Sequence, residues 1–187
     1  SKSRKMTGVE ASSSPRKSIV KWDSKSLSLA PSSIHDQIDE VGKQSAAAQG
    51  LVSAITSVKK MLEEKKETQT IMYVLMEKEE IVGFVKVGRR NLFLFENDGG
   101  EIAEVEPLCV LDFFVKEGHR RRGNGKLLFD AMLSKEEVQH GGAELAYDRP
   151  SSKMVNFLEK KYGLSDGKMQ PNRFTVFEQF WDIRTHT

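Results

Sequence analysis

Residues 104–115, EVEPLCVLDFFV, are the most apolar stretch of the chain, and they lead almost directly into HRRRGNG at 119–125 and the amphipathic run KLLFDAML. An apolar run of that length reads as a central strand covered on both faces. Gly123 and Gly125 permit backbone conformations and close approaches that a Cβ would block. The helix that follows brings the positive end of its dipole to the same turn. Arg120, Arg121 and Arg122 add charge, and arginine grips phosphate in a bidentate fork. Taken alone, the segment is equally compatible with a polar loop ahead of an ordinary helix. It lacks the G-x-x-x-x-G-K-[ST] spacing of a nucleoside-triphosphate loop. It also lacks the G-x-G-x-x-G spacing and later acidic residue of a dinucleotide fold.

The rest of the chain falls into alternating signals. Serine and lysine dominate the first residues, too few of which are apolar to offset the entropy of ordering them. A flexible tail is expected over 1–18, with a domain over 19–187 and a short strand near Ser18–Trp22 anchored by Trp22. Ser33 with Asp36 resembles a capping box. Ile34, Ile38, Val41 and Ala48 then recur at helical spacing until Gly50. A second helical pattern carries Leu51, Ile55, Val58 and Leu62. TIMYVLME and EIVGFVKVGRRNLFLF read as antiparallel neighbours with a bend near Gly88, and ENDGGE as a loop. After the arginine–glycine turn come a helix to about Gln139, a short strand in GGAELAYD and a helix opening at Pro150. Met154, Phe157, Leu158 and Tyr162 form that helix's stripe, Gly163 ends it, and NRFTVFEQFW closes as a strand. The fold class expected is α/β (α+β): one domain with a mixed, mostly antiparallel sheet and helices on both faces.

Composition removes several function classes. Lys and Arg number 29 against 27 Asp and Glu, so no global field draws the chain to nucleic acid. The single Cys109 excludes an internal disulfide and fits a reducing compartment. His35, His119, His140 and His186 are scattered, without the spacing of a zinc site, so no metal is expected. No apolar run approaches the ~20 residues of a membrane span, and no signal-peptide pattern is visible. A cytoplasmic protein is expected.

Arg120, Gly123 and Gly125 match [QR]-x-x-G-x-[GA], and the segment resembles the acetyl-CoA loop of the GNAT superfamily. EPLCVLDFFV, RRGNGKLLFDAML, YDRPSSKMVNFLEKKYGL and NRFTVFEQFW follow one another as in the α-tubulin N-acetyltransferase family. IDEVGKQSAAAQGLVSAIT and IVGFVKVGRRNLFLF are similar to that family's N-terminal helix and basic hairpin. The resemblance spans roughly residues 19–181. It implies a GNAT-like fold and acetyl-CoA as cosubstrate. It also implies transfer to a lysine ε-amine on the lumenal loop of α-tubulin in microtubules, by direct attack in a ternary complex. A monomer associated with the cytoskeleton, including cilia or axonemes, is expected.

The resemblance also assigns residues. Asp148, Cys109 and Gln49 fall on active-site positions. By residue type alone, Asp148 also suits a helix N-cap, Cys109 a small buried apolar residue, and Gln49 a surface side chain at a helix end. The main chain of Phe113, Phe114 and Val115 would hold the pantetheine arm. Arg121, Arg122, Gly123, Asn124, Gly125 and Lys126 would hold the pyrophosphate, with Ser151, Ser152 and Lys153 as a second cofactor-contacting stretch. Lys86, Arg90 and Arg149 would meet the acidic tubulin surface, or form a solvated basic face. Strict alternation sets Cys109, Leu111 and Phe113 opposite Val110, Asp112 and Phe114. Asp112 therefore points away from Cys109 unless a bulge intervenes, and it reads as structural. The alternatives are a microtubule-docking module with little catalysis, which need not keep Gln49, Cys109 and Asp148 together, and a GNAT enzyme for another protein lysine.

Overall fold

The most apolar strand does lie at the middle of the sheet. In the computed structural model, which describes residues 16–65, 68–96 and 100–185, the strands are β1 (Lys17–Trp22), β2 (Ile71–Glu77), β3 (Glu80–Arg89), β4 (Leu92–Phe95), β5 (Ile102–Val105), β6 (Leu108–Val115), β7 (Ala146–Asp148), β8 (Lys168–Met169) and β9 (Phe174–Val176). The helices are α1 (Ser24–Ser28), α2 (Ser32–Ala48), α3 (Val58–Glu63), α4 (Asn124–Lys135), α5 (Ser152–Tyr162) and α6 (Gln179–Thr185). Seven strands form one sheet in the order β1-β2-β3-β6-β7-β9-β8, while β4 and β5 make a separate two-stranded ribbon. All neighbours in the large sheet are antiparallel except β6 and β7.

Two apolar layers cover this sheet. Leu128, Phe129, Met132 and Leu133 of α4 and Leu158 of α5 pack against Tyr73, Val85 and Val110. On the other face Leu27, Ile38, Val41 and Met61, from α1, α2 and α3, pack against Met72, Val74, Phe84 and Phe114. No helix among the described residues is long and apolar enough to cross a membrane.

Several boundaries differ from the sequence reading. Residues 1–15 of the expected tail and 97–99 of the ENDGGE turn lie outside the described residues. Lys17 and Ser18 belong to β1, paired with Glu77 and Met76. Pro31, not Ser33, is the N-cap of α2, and no side chain caps it. The second helical pattern shrinks to α3, leaving Leu51 and Leu62 exposed. Side chains from other elements take the backbone groups that a longer helix would need. Lys86 Nζ donates to Ile55 O at 2.8 Å and Val58 N donates to Asp39 Oδ1 at 2.8 Å. The long strand through Gly88 breaks at 90–91, where Arg90 N turns to Pro107 O and β4 leaves the main sheet. NRFTVFEQFW supplies β9 and then enters α6.

A bulge in β6 is the most consequential departure. Lys86 pairs with Asp112 and Val87 with Val110, so Leu111 is passed over. Val110 and Phe113 consequently both pack on the α4 side, and Asp112 comes to the same face as Cys109 and Leu111.

Candidate active site

β6 and β7 pair through only two registers, Cys109 with Ala146 and Val110 with Tyr147. Beyond them β7 ends, because Arg149 takes φ +42° and Pro150 has no amide to donate. β6 runs on to Val115, so main-chain groups on its β7 side are left without a strand partner. The sheet thus parts like a wedge.

A groove of about 470 Å³ follows this opening. Phe113, Phe114 and Val115 form its floor, with Arg120, Arg121, Gly123, Gly125 and Lys126 at one end and Ser151, Ser152, Lys153, Met154, Phe157 and Lys161 along its side. Gly123 is the N-cap of α4 at φ +74° and offers no capping side chain. The first intrahelical bond reaches Gly123 O from Leu127 N, which leaves the amides of Asn124, Gly125 and Lys126 without helical acceptors. Arg121 is also left-handed, at φ +60°. This turn with its helix end is therefore built to receive an anion. Arg120 clamps it to β6 by donating Nε–H to Val115 O at 2.7 Å, with its guanidinium over the Phe114 ring.

Two expected cofactor residues have other side-chain duties. Asn124 is 1% exposed; its Oδ1 accepts from Lys17 Nζ and its Nδ2 donates to His119 O, so the side chain braces the turn from behind. Asn124 and Arg122 are absent from the groove lining. Ser151 caps α5 by accepting from Met154 N while facing the groove, which leaves Asp148 free of the capping role.

The groove adjoins a smaller cavity, about 50 Å³, through Gln49, Phe113, Ser151 and Met154. Asp112, Asp148 and Arg149 lie on it. Arg149 Nε donates to Asp148 Oδ1 at 3.1 Å. Gln49, the C-cap of α2, donates from Nε2 to Ser45 Oγ at 3.0 Å and to Asp112 Oδ1 at 3.1 Å. Folding therefore brings Gln49 and Asp148 to one cavity from positions 99 residues apart (148 − 49).

Cys109 stands back from both cavities. It is fully buried, its Sγ–H directed to Pro107 O, and burial pushes the thiol up to about 12. The protonated form is thus the native one at neutral pH, which opposes a thiolate role. Because the folded value is raised above the ordinary 9.0, the thiol's contribution to stability is full below that pH and is lost as pH rises toward about 12. Urea midpoints measured across this alkaline range should fall more steeply for the wild type than for Cys109→Ala. Parallel slopes would contradict the buried, protonated thiol.

Lys86 is corrected from a surface contact to an interior one. It is 6% exposed, with burial pulling its ammonium below the usual lysine range against the opposing pull of Asp112. Arg90 is drawn inward too, donating to Thr68 O and Thr70 Oγ1. Of the three expected substrate cations, Arg149 keeps an exposed side chain beside the cavity. Arg120 lines the groove outside the residues expected to hold the pyrophosphate, Ser45, Phe157 and Lys161 line it without having been expected there, and Asp112 holds Gln49. Arg120 was visible as the motif's first residue; the others carried no local signal. Among the described residues no group of three His, Cys, Asp or Glu could hold a metal ion.

A mostly antiparallel sheet that parts beside an uncapped helix N-terminus is the fold of GNAT acetyltransferases. The xEco2 acetyltransferase domain bound to a CoA conjugate superposes with TM-score 0.54 at 14% identity, over 85% of this chain and 90% of that one. The aminoglycoside N-acetyltransferase AAC(6')-Iy in complex with CoA gives 0.52 at 15% identity, over 83% and 92%. Residues 3–187 match the family described as GNAT acetyltransferase, Mec-17, and the chain belongs to it. It is 44% identical over 154 residues to Alpha-tubulin N-acetyltransferase 1 of Danio rerio, covering 79% of this chain and 50% of that protein. The corresponding Alpha-tubulin N-acetyltransferase of Tetrahymena thermophila is 42% identical over 144 residues, 77% of this chain and 34% of that protein. The chain thus spans half or less of the length of these two relatives.

Proposed function

We propose that this chain binds acetyl-CoA in the groove and transfers the acetyl group to a lysine ε-amine on the lumenal loop of α-tubulin in microtubules. The observation that carries the proposal is the continuity of the two cavities: a groove headed by an uncapped helix N-terminus adjoins a pocket bordered by Gln49 and Asp148. The residues present fit the cosubstrate. Amides of 124–126 with Lys126 suit the pyrophosphate, and the open edge of β6 suits an extended arm. Lys153 and Lys161 stand along the side where further phosphate charge can lie.

Acetyl-CoA supplies the activated acyl group as a thioester. The chain's task is to deliver a neutral amine to it. A lysine is an ammonium at neutral pH; its second proton goes to the departing coenzyme A thiolate as the amide bond forms and the C–S bond breaks, but a first proton must leave before the nitrogen can attack. Asp148 attracts the ammonium and accepts that proton, and Gln49 Oε1 offers an acceptor that aims the amine. Holding both reactants in one wedge supplies orientation. Cys109 acts by shape, filling the sheet behind the pocket. Arg149 remains as a contact for an acidic substrate surface. In this reading the chain works as a monomeric domain that includes β1 from Lys17, on cytoplasmic microtubules and axonemes.

The direct test incubates the chain with acetyl-CoA and polymerised microtubules and maps acetyl-lysine by mass spectrometry. The expected result is modification of α-tubulin that requires both the chain and the cosubstrate. Co-sedimentation with microtubules but no cosubstrate-dependent modification would replace this reading with that of a docking module. Modification confined to other proteins would overturn the substrate.

A further inference from the structure

Asp112 is 5% exposed, and a carboxylate so far from water is tolerated only where donors surround it. Its Oδ1 accepts from Ser45 Oγ at 2.8 Å and from Gln49 Nε2 at 3.1 Å, and its Oδ2 accepts from Thr56 Oγ1 at 2.6 Å. Lys86, its register partner on β3, supplies the neighbouring positive charge. Asp112 borders the smaller cavity, yet both of its oxygens are already engaged.

These contacts decide how Gln49 is presented. Gln49 ends α2, where a side chain has little else to hold it. Its amide nitrogen lies within donating distance of both Asp112 Oδ1 and Ser45 Oγ. Ser45 donates its own O–H to the same carboxylate oxygen. An ionised carboxylate only accepts, so the amide cannot turn over: its nitrogen must face Asp112 and its oxygen the other way. Within the acetyl-transfer reading, on which this inference rests, we propose that Asp112 is a positioning residue that fixes the Gln49 amide with Oε1 presented to the incoming lysine amine. Asp112 acts through Gln49, both of its oxygens being held by Ser45, Gln49 and Thr56. Its effect is to remove one of the two orientations open to an amide at a helix end.

The test is Asp112→Asn, alone and combined with Gln49→Ala. Asparagine keeps the size but brings its own NH2, so the Gln49 amide can turn. The expected result is a fall in kcat of about 10- to 100-fold, with KM for acetyl-CoA within about twofold. In the Gln49→Ala background the same substitution should lower kcat by less than about twofold. Wild-type kcat in Asp112→Asn, or a full additional loss in the double variant, overturns the proposal. If Asp112→Asn does not fold, Ser45→Ala is read instead, with a smaller loss that likewise vanishes in the Gln49→Ala background. A second readout is independent of turnover. The side-chain amide protons of Gln49, assigned by NMR from their loss in Gln49→Ala, should shift in whichever network variant folds. Unmoved resonances overturn the positioning itself, whereas an unmodified substrate under wild-type protein overturns the acetyl-transfer reading and any catalytic use of the network.

Discussion

Asparagine at position 148 is expected to lower kcat by about 10²–10⁴-fold, while the Kd for acetyl-CoA, read by calorimetry, moves by less than about twofold. The substitution preserves shape and removes only the charge proposed to accept the lysine proton. Structure around it should persist. The backbone of Asp148 is held by its pairing with Phe174 on β9, and the cap of α5 belongs to Ser151. The groove residues proposed to hold the cosubstrate lie on β6, the turn before α4, α4 and α5, so its binding is not expected to depend on the carboxylate. Single-turnover acetylation of microtubules measures the chemical step. Full turnover in Asp148→Asn would remove Asp148 as the base, and a matching loss of acetyl-CoA affinity would make its role structural.

Alanine at Gly42 should destabilise the chain by about 3 kcal/mol or more. A Cβ built there would lie 2.0 Å from Thr56 O, a backbone atom that cannot swing aside as a flexible side chain would. α2 and the 54–57 segment must separate. That segment carries the Thr56 hydroxyl bound to Asp112 and the Ile55 carbonyl bound to Lys86, both in the interior. Parting them leaves buried polar groups unpaired at about 1–3 kcal/mol each. The better helix propensity of alanine returns only about 1 kcal/mol, so the steric effect wins. A thermal midpoint lower by roughly 6–12 °C is the expected reading. Gly118→Ala is the control: nothing lies within 4 Å of a Cβ there, and its midpoint should stay near wild type. A Gly42→Ala protein as stable as that control would mean the two segments are not held together as described.

The two predictions probe features of unequal legibility. Asp148 could be singled out in the sequence because it closes a short strand just before a proline and falls on a family active-site position. The capping alternative was removed only when Ser151 was seen taking the cap. Gly42 gave no signal: it sits mid-helix among small residues, and its meaning comes from a carbonyl 14 positions away (56 − 42). Lys86 and Arg90 read as basic surface because they flank a strand end, whereas partners on 54–56 and 68–70 draw them inward.

Local pattern, then, was enough for the α/β class, for β2, β3 and β6 as strands, and for a glycine-rich turn between β6 and α4. Side-chain periodicity and the steric freedom of glycine are properties of neighbours along the chain. Tertiary structure decided which side chains reach the pocket. The bulge at Leu111 turned Asp112 toward α2, and the parting of β6 from β7 opened the groove. The Ser45–Gln49–Asp112–Thr56 network joins residues up to 67 positions apart. The orientation of a buried carboxylate is set by which distant donors fold against it, and no periodicity along the chain encodes that.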